Sequence, residues 1–586
     1  MMTSRYLTIL LVILFFTTSC GTKKRITSST EDMKTPFEIN DNHSATYEEA
    51  IAYYNLLSQK YNQIITVPFG LTDSGFPLHE VIIDKDMVFD PEVSKSSGKV
   101  ILLVNNAIHP GEPCGVDASM MLARELLENK EWAELLDQTV IVIIPFYNIS
   151  GGLNRGSYSR ANQNGPEEYG FRGNAQNLDL NRDFIKADTR NAESFNRLFN
   201  KWDPDVFIDN HTSNGADYQY VITLIATQKD KLQKDISKYM TREMLPELYK
   251  EMKNDGYEMT PYVFSRGTPD EGIAGFLDLP RYSSGYAAMN HTISFMPETH
   301  MLKPFKDRVW SVFYFMENML HHLNENYEEI IKVRNKGRKE YASAKEHDLS
   351  WTLDFDETDE IEFKGYEAGY KESKVTGQSR LYYDRDKPFT KKIPFYNTYN
   401  STATIKKPKA YIIPQAYRKV IERLKWNNVV MERVESDTLI DVVQYKIDNY
   451  ESRKSPYEGH YLHYNVEVTP VEKEMLIRKG DYIIYTGQGK DRYVIETLEP
   501  QAPDSFFAWN FMDGVLMSKE YFSSYVFEER AEELLKKDRS LRRAFEKKKD
   551  EDEAFSKDAR AQLRFIYERS PHYEQQYMHY PILRIE

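Results

Sequence analysis

Val100-Ile101-Leu102-Leu103-Val104, followed after four residues by His109-Pro110-Gly111-Glu112, is the stretch that decides how this chain reads. A short continuous apolar run bounded by polar residues reads as a buried strand. A His and a Glu three apart, just past its end, can bring an imidazole nitrogen and a carboxylate oxygen onto one metal ion. Such a pair needs a third protein ligand, and a catalytic zinc keeps its fourth position for water. His211 is the best third candidate, because it ends a second strand-like run, Val206-Phe207-Ile208-Asp209-Asn210-His211. Two imidazoles and one carboxylate suit zinc acting as a Lewis acid. Taken alone, His-x-x-Glu is a weak signal, and a polar turn after a strand fits it better.

Two further stretches narrow the reading. Arg172-Gly173-Asn174 leads to Asp179-Leu180-Asn181-Arg182-Asp183-Phe184, and a late strand-like run carries Ile293-Ser294-Phe295-Met296-Pro297-Glu298-Thr299-His300. With the two metal motifs, they stand in an order that resembles the metallocarboxypeptidase family, the carboxypeptidase A-like zinc peptidases. The resemblance covers roughly residues 45–325. It implies one zinc per chain, held by His109, Glu112 and His211, with Asp179 orienting His109. A carboxylate behind a ligating imidazole fixes its tautomer and raises its basicity. It also implies Glu298 as the general base that takes a proton from water and returns it to the leaving amine. Arg172 is expected to stabilise the oxyanion. Asn181 and Arg182 are expected to hold the substrate's terminal carboxylate, for which the guanidinium fork is apt. Tyr282, followed by Ser283-Ser284-Gly285, resembles the family's substrate-closing tyrosine, and Tyr286 is equally reachable. Pro297 and His300 depart from the family's usual context, and its Asp-Trp pair is absent.

The implied activity is zinc-dependent hydrolysis of C-terminal residues from peptides with a free carboxylate. Two alternatives remain. One is an enzyme of the same fold acting on cell-wall peptides, and the other is an inactive peptide-binding surface lipoprotein.

At 586 residues the chain is long for one core, so two or three domains are expected. Strand-like runs at 78–83, 100–104, 139–145, 206–209, 220–227 and 292–296 alternate with helical patterns at 45–62, 116–128, 193–202, 229–253 and 304–323. This alternation predicts an α/β fold, a mixed and mostly parallel sheet flanked by helices. Ligands in such sheets sit beyond the carboxyl ends of strands, where both metal motifs fall. Residues 150–190 form a long Gly-, Asn- and Arg-rich insert, and long ordered loops in compact domains are often functional. The expected layout is an export signal (1–20), a linker (21–45), a catalytic domain (46–325) and a helical connector (326–350). An accessory region (351–586), β-rich and then helical, follows.

A formal net charge of −14 argues against nucleic acid as a partner. With two cysteines, Cys20 and Cys114, there is no disulfide framework. Cys114 is close enough to Glu112 in sequence to be a tempting ligand, but a packed residue at a helix start is the better reading. Leu7–Phe16 is an apolar core behind Arg5, and Thr17-Thr18-Ser19-Cys20-Gly21 resembles a bacterial lipoprotein cleavage site. Cys20 would then carry a lipid anchor in the cell envelope of a bacterium.

Overall fold

The structure, a computed structural model, describes residues 33–586 with the exception of residue 266. The export-signal reading and Cys20 lie outside the described residues.

The strands expected around the metal motifs form one mixed sheet. In chain order they are β1 (Ile64–Leu71), β2 (Pro77–Ile83), β3 (Val100–Asn105), β4 (Thr139–Ile144), β5 (Val206–Asp209), β6 (His211–Ser213), β7 (Ile222–Ala226) and β8 (Met259–Pro261). The two-residue β9 (Ile273–Ala274) belongs to another sheet, and β10 (Ile293–His300) completes this one. Their order across the sheet is β1-β2-β4-β3-β5-β10-β7-β8, with β6 beside the end of β10. The centre is parallel, since β3 pairs with β4 and β5, and β10 with β5 and β6. The pairs β1–β2, β2–β4 and β10–β7 are antiparallel.

Every residue of β3 and β4 is buried, as expected for strands covered on both faces. Successive side chains leave a strand on opposite faces, so Val100, Leu102 and Val104 enter one core and Ile101 and Leu103 the other. The first core is closed by helices α1 (Tyr47–Lys60), α2 (Cys114–Glu128) and α5 (Phe305–Ser343). Against the second lie α3 (Arg190–Trp202) and α4 (Ser283–Met289).

Several elements differ from the sequence expectation. β1 carries Pro68 and Gly70 and half-exposed positions, which hid its periodicity. The helix expected over 229–253 is a 3-10 turn, a helical turn, a π segment at Met240–Met244 and a helix from Leu245 to Asn254. Residues 33–45 are no free linker. Thr35 and Glu38 form a capping box around Pro36–Ile39, Met33 and Phe37 are buried, and Arg124 pairs with Glu38 at 2.7 Å. The expected connector is not a separate element either, because α5 runs through 325/326 with one non-helical residue, Asn326. Buried Arg334 ties its far half to the sheet through Asp205 at 2.8 Å and Asp203 at 2.6 Å.

The C-terminal region is β-rich, then helical. β11 (Glu346–Leu353) and β14 (Tyr399–Lys406) pair, while β12 (Asp359–Glu372) and β13 (Ser379–Tyr396) form a long hairpin that also takes in β9. A six-stranded sheet combines β15 (Ala410–Ile413), β16 (Glu432–Arg433), β17 (Thr438–Ser452), β18 (His463–Ile477), β19 (Tyr482–Tyr485) and β20 (His579–Ile585). The helices between residues 524 and 567 bury their own small cluster around Phe527, Leu541 and Ile566. Tyr411, Leu424, Tyr493, Leu498 and Trp509 belong to the same buried cluster as Ile101, Phe195 and Tyr286. The two halves of the chain thus share one core. Among the described residues, no helix is long and apolar enough to cross a membrane.

Candidate active site

Because β3, β5 and β10 run parallel, their carboxyl ends open on the same side of the sheet. His109 and Glu112 follow β3, His211 follows β5, and Glu298 stands directly opposite His211 in the β10–β6 register. Pro297 has no N–H to give a ladder. It falls between the stretches of β10 that pair with β5 and β6, opposite Asn210. On its other side, toward β3, the backbone N–H of Asn210 donates to the Asn105 carbonyl at 3.1 Å. Asn210 and Asn106 are buried side by side, joined at 2.8 Å. A side chain on Gly115 would strike both, with its Cβ 2.4 Å from Asn106 Oδ1, so α2 can pack close beneath the site.

One ligand atom from each of His109, Glu112 and His211 lies within 4.8 Å of the others, and all three residues are buried. Both Nδ1 atoms face Glu112, from His109 at 3.4 Å and from His211 at 3.2 Å. Each Nε2 is held from behind by a carboxylate: Asp179 on His109 at 2.8 Å, Asp209 on His211 at 2.9 Å. His109 Nδ1 is buried with no hydrogen-bond partner. An orphaned imidazole nitrogen, a second imidazole and a carboxylate turned to one point form a donor set that fits zinc. The two rear carboxylates are the usual partners that orient such ligands.

Burial pushes the Glu112 carboxyl up, but Arg160 and His109 outweigh it and hold it well below the usual range. Arg160 lies 2.6 Å from Glu112 Oε1, and the Thr212 N–H donates to Oε2 at 2.8 Å. For His211, burial disfavours the charged ring, yet Asp209 and Glu112 raise it well above the ordinary value in the absence of a metal. Burial opposes ionisation of Asp179, and His109 and Arg172 overcome it, holding the carboxyl low. Glu298 is pushed up to about 7 by burial, with Glu112 adding to the rise and His211 and the nearby arginines opposing it.

A cavity of ≈ 230 Å³ opens over this group, lined among others by Glu298, Arg172, Asn181, Arg182 and Tyr282. The expected residues therefore surround one space, though not all in the expected pose. Arg172 pairs with Asp179 at 2.9 Å and reaches Glu112 at 3.4 Å. Asn181 accepts the Ser283 N–H at 3.0 Å and brings its amide nitrogen 3.5 Å from His211 Nε2. The Arg182 guanidinium lies 4.4 Å from the centre of the Tyr282 ring. Tyr282 heads α4 at the cavity, whereas Tyr286 is fully buried with its hydroxyl on Asn427 at 2.6 Å, so Tyr286 cannot close over a substrate. Cys114 begins α2, as expected of a packed residue, with Thr212 and Thr299 3.7 Å away.

Residues 50–242 match the family model described as zinc carboxypeptidase, Peptidase_M14. The chain carries a zinc carboxypeptidase domain. Among curated proteins, Carboxypeptidase 2 of Trichophyton rubrum is 23% identical over 431 residues, which cover 70% of this chain and 74% of that protein. Carboxypeptidase 2 of Trichophyton equinum is 22% identical over 453 residues, covering 74% and 77%. Among solved structures, a metallo-carboxypeptidase from Burkholderia cenocepacia is 16% identical over 48% of this chain and 70% of its own, at a TM-score of 0.37. One from Pseudomonas aeruginosa, in complex with (2-guanidinoethylmercapto)succinic acid, is 14% identical over 49% and 70%, also at 0.37.

Two polar residues of this site were not singled out from the sequence. Asp209 stands two residues before His211, and Asn105 Nδ2 steadies its other oxygen at 2.9 Å; the i, i+2 spacing on a strand was the available signal. Arg160 lies in the 150–190 insert, where only the richness in arginine pointed to it.

Proposed function

We propose that the chain is a zinc-dependent exopeptidase that removes C-terminal residues from peptides. The observation that carries this reading is one cavity lined by two chemically distinct groups of side chains. His109, Glu112, His211 and Glu298 form one group, and Asn181, Arg182 and Tyr282 the other. The first group is suited to hydrolysis and the second to a carboxylate.

In this reading His109, Glu112 and His211 hold the metal. Zinc, when bound, supplies the Lewis acidity that makes water a nucleophile near neutral pH. Glu298, opposite His211, accepts the proton of the attacking water and passes it to the leaving amine. Arg172 faces the cavity and offers its guanidinium to the oxygen that gains charge at the scissile carbonyl. Arg182 and Asn181 take the terminal carboxylate, which places the last peptide bond beside Glu298. Tyr282, stacked on Arg182, covers the bound end from solvent. Asp179 and Asp209 keep the two imidazoles turned inward.

The test uses the chain from residue 21 onward, loaded with zinc and incubated with mixed peptides and digested cell-wall peptides. Products are read by mass spectrometry, with Glu298→Gln alongside. Loss of single C-terminal residues is expected, slowed on the order of a hundred- to ten-thousandfold in the variant. Cleavage confined to cell-wall peptides would move the assignment to an amidase of the same fold. No cleavage with zinc bound would leave a binding protein.

We place the enzyme in a bacterial cell envelope, anchored through Cys20, on the strength of residues 5–21. The expected outcome is that Cys20→Ala moves the protein from the membrane fraction to the soluble one, and an unchanged distribution would reject the anchor.

A further inference from the structure

The connection between β17 and β18 ends in a tight turn at Tyr457-Glu458-Gly459-His460. The Tyr457 N–H donates to the His460 carbonyl at 2.7 Å, and the His460 N–H returns the bond at 3.0 Å. Glu458 (φ 50°) and Gly459 (φ 84°) are both left-handed, the pattern of a two-residue hairpin turn whose twist suits its strands. Glycine accepts that backbone freely, and a glutamate tolerates it only where surrounding contacts hold it.

Those contacts lie on the catalytic half of the chain. Glu458 accepts the backbone N–H of Asp179 at 2.8 Å. The Tyr457 hydroxyl oxygen accepts Nε–H of Arg182 at 3.1 Å. His460 Nε2 meets Asp188 at 2.7 Å. Behind the turn, the Tyr457 ring stacks on Trp509, with centroids 6.0 Å apart and planes 19° apart. Trp509 is fully buried and donates to Asp504 at 3.1 Å. Arg281, the residue before Tyr282, pairs with Asp504 at 2.9 Å and lies 5.2 Å from the Trp509 ring. The phenol oxygen of Tyr457 is therefore set in place by a rigid stack.

Arg182 gives Nε–H to Tyr457 and an NH1 proton to the Asn181 carbonyl at 2.7 Å. Two fixed bonds and the Tyr282 face define the plane of its guanidinium. A carboxylate is recognised by that fork only in the right plane, and a preorganised fork loses less freedom on binding.

We propose that Tyr457, contributed by the C-terminal region, is a positioning residue for recognition of the substrate carboxylate, acting by orienting Arg182. This inference rests on the exopeptidase reading above. It makes the accessory region a working part of the site.

The test is Tyr457→Phe in the chain from residue 21 onward. The change removes one oxygen and keeps the stack on Trp509. KM for a peptide with a free C-terminus should rise about tenfold with kcat within about twofold, since a lost hydrogen bond to a charged group is of that size. In a Glu298→Gln background, titration calorimetry should show the same loss of affinity for the free-acid peptide. The C-terminally amidated peptide should bind the Tyr457→Phe and Tyr457 forms equally. Equal affinity for the free acid in both forms would overturn the inference and leave the exopeptidase reading intact. So would a loss of zinc or of cooperative melting in the variant, which would mark Tyr457 as part of the fold alone. A parent protein that bound acid and amide peptides alike would overturn both.

Discussion

The two groups of side chains that line the cavity, a metal end and a carboxylate-binding end, are built in different ways. The metal end comes from the carboxyl ends of adjacent parallel strands, within residues 105–212 and 298; its three ligands are buried and Glu298 is half-buried. Each imidazole is clamped by a carboxylate from the same half of the chain, Asp179 or Asp209. The carboxylate-binding end comes from a loop, the Leu180–Arg182 turn, and from the head of α4. Its support arrives from residues more than two hundred positions later, at Tyr457, Asp504 and Trp509, and on the metal side the same turn touches only the backbone of Asp179, through Glu458. A strand end locates a side chain by register alone. A loop needs something to lean on, and here the C-terminal region provides it.

The largest expected effect breaks the metal end. His211→Ala should abolish stoichiometric zinc and lower activity on the order of a thousandfold or more, read by elemental analysis and product release. The protein should stay folded, because the sheet core does not include His211. Next comes the shared core. Trp509→Ala should cost about 3–5 kcal/mol of stability, seen as a fall in the denaturant midpoint. Zinc binding in the surviving folded fraction should be unaffected, since no ligand leans on Trp509.

A pH effect of comparable size arises at His300. Its Nε2–H donates to the Ala216 carbonyl at 2.9 Å, and its Nδ1 accepts the Leu302 N–H at 3.1 Å, which fixes the neutral ring. Burial pulls its pKa down from 6.5 to about 4. Between those values the unfolded chain binds a proton that the folded chain refuses. Stability is therefore lost as pH falls from about 6.5 to about 4, by about 3 kcal/mol at most. Urea midpoints across that range should fall for the parent and fall less steeply for His300→Gln, which still holds His347 and His291 below 6.5 by burial. A parent curve no steeper than the variant's would remove His300 as the cause.

The smallest effect sharpens the contrast. Asp209→Asn should weaken zinc binding about 10- to 100-fold while leaving affinity for a free-acid peptide fragment near the parent value. Tyr457→Phe should do the reverse. A variant that lowered both together would erase the distinction between the ends.

The catalytic sheet was legible because its central strands are covered on both faces and so read as unbroken apolar runs, as at Val100–Val104 and Val206–Ile208. β1 was not, since Pro68, Gly70 and partial exposure mask its period. The metal end was legible because its residues follow strands at short spacing. Asp209 was within reach by the same logic, two positions from His211. Arg160 was not, because its contact with Glu112 depends on how the insert folds back. Tyr457 and Glu458 were out of reach altogether. A Tyr-Glu-Gly-His turn carries no metal-site spacing, and its role exists only once β17 and β18 bring it against residues 179–182. Residues 33–45 looked like a tether because they are polar on average, while the few apolar side chains that bury, Met33 and Phe37, are too sparse to make a period.

X-ray absorption on the zinc-loaded chain would test the metal centre most directly. Two imidazole nitrogens at about 2.0–2.1 Å and carboxylate or water oxygen at about 2.0–2.2 Å, with no sulfur, are expected at one zinc per chain. The oxygen contribution should diminish in Glu112→Ala. A sulfur shell near about 2.3 Å, which Cys114 alone among the described cysteines could supply, or the absence of stoichiometric zinc, would contradict the site built here from His109, Glu112 and His211.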